Sequence, residues 1–256
     1  MTYVINMICG IAKATSAGNT TYATDGMKSP APVLPGRDSV SPDLGEVRRR
    51  ESEAAMAVLG VPRDNLCFFG LPEAKLSRHY EDLRRRMLEH LERIQPDHVL
   101  VPFRFDRHLD HLAVNQAATV EFLQGRLRGR LAEYFVYHRW RLLPRRDIRR
   151  YLRPDQLLQV DLAGVSALKR AALDCFQTQT TQYYPWQTRP ILTPQLLDEE
   201  CRGAEYFLRY DRAYPGSRVF TAAASWIRIA HRLEPKLQKW KYVLNTAFQR
   251  ATGGGH

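Results

Sequence analysis

The run Val99-Leu100-Val101-Pro102-Phe103, followed almost at once by Asp106-Arg107-His108-Leu109-Asp110-His111, decides how this chain is read. A short apolar run bounded upstream by Gln95-Pro96-Asp97 has the length and composition of a buried strand. Two imidazoles and two carboxylates, Asp106 and Asp110, therefore fall where that strand ends. Val114, Ala117, Ala118 and Phe122 follow at spacings of three and four, which predicts a helix beginning near Asp110 with the Asp110 carboxylate as its N-cap. Ligand sites in open α/β sheets lie in the crevice at the carboxyl ends of strands. A neutral imidazole binds metal, and an imidazole held by a carboxylate polarises a carbonyl or moves a proton. The same residue types also cap helices and satisfy loop backbone, and motifs this short recur by chance.

The chain on either side alternates strand and helix. Ile8 to Ala17 reads as a short helix ending at Gly18, and Thr20 to Thr24 as a strand closing on Asp25-Gly26. This assignment leaves no residues for a strand before that helix. Residues 28–44, with Pro30, Pro32, Pro35 and Pro42, form a long loop. Glu46 to Leu59 is a helix with Ala54, Ala55, Val58 and Leu59 on its apolar face; Leu66 to Phe69 is a strand, turning at Gly70-Leu71-Pro72-Glu73. Leu83, Met87, Leu91 and Ile94 mark the helix that leads back to Val99. Near-continuous apolar strands between helices predict an α/β fold: a Rossmann-like, mostly parallel sheet with helices on both faces, lacking its first strand. Tyr134 to Tyr137 and Leu157 to Val160 are further strands, and Ser166 to Phe176 a helix. No GxGxxG or Walker-type loop is present, so a nucleotide site is not supported.

With 256 residues, 44% hydrophobic and 25% charged, the chain has the composition of a globular protein with a substantial core. We divide it into a domain over 1–215 and a basic amphipathic helical extension over 216–256. In the extension Trp226, Ala230, Leu233, Leu237, Trp240, Leu244 and Phe248 keep helical spacing among Arg and Lys. That stripe either packs on the domain or docks on an anionic membrane surface. The net charge of +11 favours anionic partners. The clusters Arg48 to Arg50, Arg84 to Arg86, Arg126 to Arg130 and Arg145 to Arg150 are dispersed and read as solvated helix faces, and nothing resembles a nucleic-acid-binding module. Four cysteines without CxxC spacing, no apolar run of about 18 residues and no signal peptide point to a reduced, cytoplasmic protein, peripheral to the membrane if the extension docks.

In order along the chain, Cys9-Gly10, Thr24-Asp25-Gly26, Arg48-Arg49-Arg50-Glu51, Gly70-Leu71-Pro72-Glu73 and Asp106-Arg107-His108-Leu109-Asp110-His111 resemble the PIG-L or LmbE-like zinc-dependent de-N-acetylases. Weaker echoes are Val160-Asp161, Lys169 with Ala172, Gln177 to Gln179 and Ala204-Glu205-Tyr206-Phe207. The resemblance implies a hydrolase that removes an N-acetyl or other N-acyl group from an amino sugar or glycolipid, with zinc as cofactor. It makes His111 a metal ligand. It gives His108 the stabilisation of the oxyanion as an imidazolium and Asp110 the task of orienting it. Asp25, Arg48 and Glu51 become candidates for substrate contact. The family's HPDD motif, which supplies the other ligands and the general base, is absent: the chain starts Met1-Thr2-Tyr3-Val4-Ile5-Asn6. The reading expects a truncated or frame-shifted start. Its alternative is a non-catalytic relative, a pseudoenzyme that binds a sugar or lipid headgroup.

Overall fold

The computed structural model describes residues 4–8, 18–27, 40–104, 106, 108–136, 141–143, 146, 147, 149 and 152–210, with 4–8, 141–143 and 146 through their backbone alone. The strands are β1 (Val4–Ile8), β2 (Asn19–Thr24), β3 (Leu66–Leu71), β4 (His98–Pro102), β5 (Arg130–Tyr134), β6 (Arg141–Leu143), β7 (Arg146–Asp147), β8 (Leu157–Asp161) and β9 (Ala204–Arg209). The helices are α1 (Leu44–Val58), α2 (Tyr80–Ile94), α3 (Leu109–Leu123), α4 (Ser166–Asp174), α5 (Gln177–Thr180) and α6 (Pro194–Glu200).

Seven strands form one sheet in the order β3-β2-β1-β4-β5-β9-β8. From β3 to β5 all neighbours are parallel, and β9 and β8 add an antiparallel edge. The fold class is α/β, as the sequence predicts, but the first strand is not missing. Val4–Ile8 lies at the centre, pairing Ile5 to Ile8 with Asn19 to Tyr22 on one side and Val4 to Asn6 with His98 to Leu100 on the other. Val-Ile-Asn-Met-Ile is the apolar, β-branched composition that a strand paired on both sides favours. The helix expected from Ile8 accordingly gives up that residue to β1, and 9–17 lie outside the described residues.

Period-two alternation divides the core. Cys67, Phe69 and Leu71 of β3 and Val99 and Val101 of β4 point to one face, where Leu83, Met87 and Leu91 of α2 and Val114, Ala117 and Ala118 of α3 cover them. Leu66 and Phe68 of β3 and Tyr22 of β2 point to the other, where Ala55 and Met56 of α1 meet Ala172 of α4 and Phe176. On α1 the buried stripe is Leu44, Arg48, Glu51, Ser52, Ala55 and Met56, with Val58 exposed, so it runs closer to the arginines than the expected alanine face. The strand expected at Tyr134 to Tyr137 ends at Tyr134, and β9 escapes a reading of the sequence because Glu205 interrupts its apolar run. Glu205 is there to meet Lys169 of α4, Nζ to Oε1 2.7 Å, with both side chains buried. The weak motif echoes at 169 and 205 are thus two halves of one ion pair. The domain boundary near 215 and the basic extension lie outside the described residues, and among those described no helix is long and apolar enough to cross a membrane.

Removing one partner of a buried pair strands the other charge, whereas removing both removes the problem. Lys169→Met should therefore cost about 3–5 kcal/mol in a denaturant titration, and Lys169→Met with Glu205→Leu should recover most of it. A second test concerns His90 on α2, buried edge-on against Phe69, with Nδ1 3.1 Å from Arg93 and Nε2 without a partner among the described residues. Burial, and then the Arg93 charge, lower its pKa from 6.5 to about 4. Between those values the unfolded chain binds a proton that the folded chain refuses, so stability is complete above pH 6.5 and falls as pH drops toward 4. His90→Leu should remove up to ~3 kcal/mol of that decline relative to the parent.

Candidate functional site

β1 leads outward to β2 and β3 on one side, and β4 to β5 on the other, so the sheet switches direction between β1 and β4. The crevice beyond the carboxyl ends of these two strands is the ligand position that such topology creates. The described residues of the β4–α3 connection, 103, 104, 106 and 108, lie there on a rigid support. Glu133 of β5 has no exposed surface and accepts from the Arg104 guanidinium through both oxygens at 2.8–3.0 Å. It also accepts from the Arg104 backbone N–H at 3.2 Å and the Asn115 amide at 2.7 Å. Asn115 donates as well to the Pro102 carbonyl at 2.7 Å. A buried carboxylate with this many donors fixes the entry to α3.

On that support the two imidazoles come together, with ring centroids 4.8 Å apart. His111 is buried, and its Nδ1 lies 3.0 Å from Oδ1 of the equally buried Asp106. Asp106 also accepts from the His108 backbone N–H at 3.0 Å. Burial pushes the Asp106 carboxyl up, but the His111 contact and the His108 N–H outweigh it and hold the pKa below the usual carboxylate value. A carboxylate at Nδ1 leaves Nε2 as the position at which His111 can receive a ligand. Asp106 belongs to the quoted stretch, yet the sequence alone assigns it no role. Its separation from His111 is bridged only once the chain turns into α3.

His108, not Asp110, is the N-cap of α3: its Nδ1 accepts from the Asp110 backbone N–H at 3.3 Å. An imidazole that accepts there uses the Nδ1 lone pair and presents its donor at Nε2. Asp110 also departs from its expected task of orienting His108. Its carboxylate is completely buried, and its oxygens accept from the backbone N–H groups of Ala74, at 2.6 Å, and Leu76, at 3.0 Å. Asp25, at the end of β2, takes the next link of the same loop, accepting from Glu73 N–H at 3.2 Å and from Met27 N–H at 3.2 Å. The connections after β2, β3 and β4 are thereby tied to one another by two carboxylates.

Asp25 and Arg48 line one cavity of about 280 Å³ beside Tyr22, Ser52, Phe68 and Phe176. Gly26, at φ +70°, makes room for the arginine: a Cβ there would stand 2.8 Å from Arg48 Cδ. Glu51, expected to touch substrate, instead ties α1 to α5. Its two oxygens accept from the backbone N–H and the hydroxyl of Thr178, at 2.7 and 2.6 Å.

A catalytic zinc needs about three protein ligands and an open position. The acids of the strand-end connections are spoken for: Asp106 by His111, Asp110 and Asp25 by backbone N–H groups. Among the described residues no group of three or more His, Cys, Asp or Glu side chains could hold a metal ion. One oriented imidazole is present, and the described set does not fit zinc.

Residues 4–121 match the family model described as PIG-L, GlcNAc-PI de-N-acetylase. Comparison with curated proteins gave no match. Among solved structures, the N,N'-diacetylchitobiose deacetylase from Pyrococcus horikoshii is similar at 18% identity and TM-score 0.56, covering 85% of this chain and 88% of its own. The A40926 pseudoaglycone deacetylase Dbv21 is similar at 17% identity and TM-score 0.53, over 84% and 98%. A conserved protein from Thermus thermophilus is similar at 18% identity and TM-score 0.53, over 78% and 86%. At such identities the structures show a shared fold, and the family match spans β1 through α3, so that residues 4–121 are similar to the PIG-L/LmbE-like de-N-acetylases.

Proposed function

We propose that this protein takes an N-acylated amino sugar into the crevice beside Arg48 and hydrolyses its N-acyl bond. The observation that carries the reading is the Asp106–His111–His108 arrangement, two imidazoles 4.8 Å apart on a braced connection at the sheet's switch point. His108, with its proton on Nε2, is suited to donate to the oxygen that gains charge as the amide carbonyl is attacked. His111, fixed by Asp106, offers Nε2 as the other polar contact. Arg48 supplies donors for sugar hydroxyls, and Asp25, by holding the Met27 and Glu73 N–H groups, shapes the cavity wall beside it. Two of the structural relatives are deacetylases of N,N'-diacetylchitobiose and of the A40926 pseudoaglycone, which supports an amino-sugar substrate. The zinc that family resemblance implies would meet His111, and the described residues provide no complete donor set around it.

That incomplete set specifically favours a second reading, a sugar-binding relative without catalysis. Acetate release from N,N'-diacetylchitobiose by the full chain, with and without added zinc, separates the two. The hydrolase reading expects release that His108→Gln reduces about 10²–10³-fold. Saturable binding of the same sugar with no release under any metal condition would sink hydrolysis and leave the binding module. Asp110→Ala is expected to behave differently from His108→Gln. By stripping acceptors from two backbone donors it should cost roughly 2–4 kcal/mol of stability, read as a lower melting temperature, whereas His108→Gln should leave melting within about 1 kcal/mol of the parent.

A further inference from the structure

The run Arg126-Leu127-Arg128-Gly129-Arg130 is not the helix face that its sequence suggests. It leaves the end of α3 and enters β5. Leu127 and Leu131 turn into the α2/α3 core while Arg126, Arg128 and Arg130 turn out. Gly129 lets this run cross close over the Pro96-Asp97 turn: a Cβ there would stand 2.3 Å from the Pro96 carbonyl oxygen, and Arg130 N–H donates to the Asp97 carbonyl at 2.7 Å. Arg126, Arg128 and Arg130 line a cavity of about 690 Å³ at the amino ends of β4 and β5, the opposite end of these strands from His108 and His111.

Arg126 is committed to the buried carboxylate of Glu121, which it shares with Arg84. Arg128 and Arg130 have no carboxylate partner among the described residues. Glu92 and Asp97 also line the cavity. Their charges repel a long polyanion, yet their oxygens accept from hydroxyl groups. Guanidinium pairs match tetrahedral oxyanions, which they bind through two parallel N–H donors.

We propose that this cavity is a second binding site, for a small phosphate-bearing molecule held by Arg128 and Arg130. The test is calorimetric titration of the full chain with inorganic phosphate at low ionic strength. Saturable one-site binding is expected, at least 10-fold weaker in Arg128→Ser/Arg130→Ser and unchanged in Arg48→Gln. Both arginines turn outward, so the double variant should melt with the parent. Should it fail to fold, Arg128→Lys/Arg130→Lys keeps the charge and should still lose affinity severalfold, because lysine lacks the paired donors. Sedimentation with phosphatidylcholine vesicles containing phosphatidic acid, abolished in the double variant, assigns the phosphate to a lipid headgroup; no sedimentation beside phosphate binding assigns it to a free molecule. Absence of saturable binding, binding equal in the double variant, or loss on Arg48→Gln would each overturn the site. So would a DNA oligomer binding more tightly than phosphate through the same two arginines.

Discussion

The site depends on the carboxylate of Asp110, which is buried without any exposed surface and holds two backbone N–H groups of the β3–α2 connection. Buried N–H groups left unpaired cost about 1–3 kcal/mol each, so this carboxylate is what allows the loop to lie against α3. Ala74, at φ 62°, bends the chain to present the first of these donors. Asp25 repeats the device one residue earlier, and Glu133 does the same for the β4–α3 connection. Carboxylates that end or neighbour adjacent strands thus build the rim of the crevice by satisfying loop backbone. Apolar packing positions the sheet, and these acids position what lies beyond it.

The same commitment governs the chemistry available. A carboxylate that accepts two backbone N–H groups has its lone pairs directed and its charge partly compensated, so recruiting it as a metal ligand means abandoning those donors in a buried loop. Asp106 differs, because its partner is an imidazole whose opposite nitrogen faces away from it. Among the described acids around the crevice it alone gains function by being paired, since pairing fixes which nitrogen of His111 is presented. What separates Asp106 from Asp110 is four residues of sequence and the imidazole that Asp106 holds beside its one backbone N–H, where Asp110 holds two.

The parallel sheet is legible because its strands are buried on both faces and read as apolar runs, and α2 because Leu83, Met87 and Leu91 keep helical spacing and are all buried. β1 eludes the sequence reading for a different reason. Its five residues carry a clear strand pattern, but the motif they lack draws more weight than the β-branched composition they have. β9 is hidden because a buried ion pair puts Glu205 and its distant partner Lys169 in the core, and no local pattern announces a partner 36 residues away. At the site the residue types are legible and the partners are not. By composition Asp110 is the preferred cap; His108 takes that position because the Asp110 carboxylate is drawn away by the 73–76 loop, a contact across 34–36 residues. Glu51 reads as exposed for substrate because its partner, Thr178, is 127 residues further on.

Charge follows the same logic of partners. A net +11 suggests a broadly basic surface, but several of its arginines are spent locally. Arg85 pairs with Asp82 and Glu89, Arg86 with Asp82, and Arg84 and Arg126 close on Glu121. Pairing removes long-range attraction while leaving the formal count unchanged, since opposite charges side by side cancel at a distance, on top of the screening that salt imposes beyond about 8 Å. What matters for recognition is therefore where a guanidinium is left out of an ion pair. Among the described residues Arg128 and Arg130 meet that condition inside a cavity, and they do so at the sheet end where no imidazole of the His108–His111 pair is placed. Formal charge alone would spread the same attraction evenly along the chain.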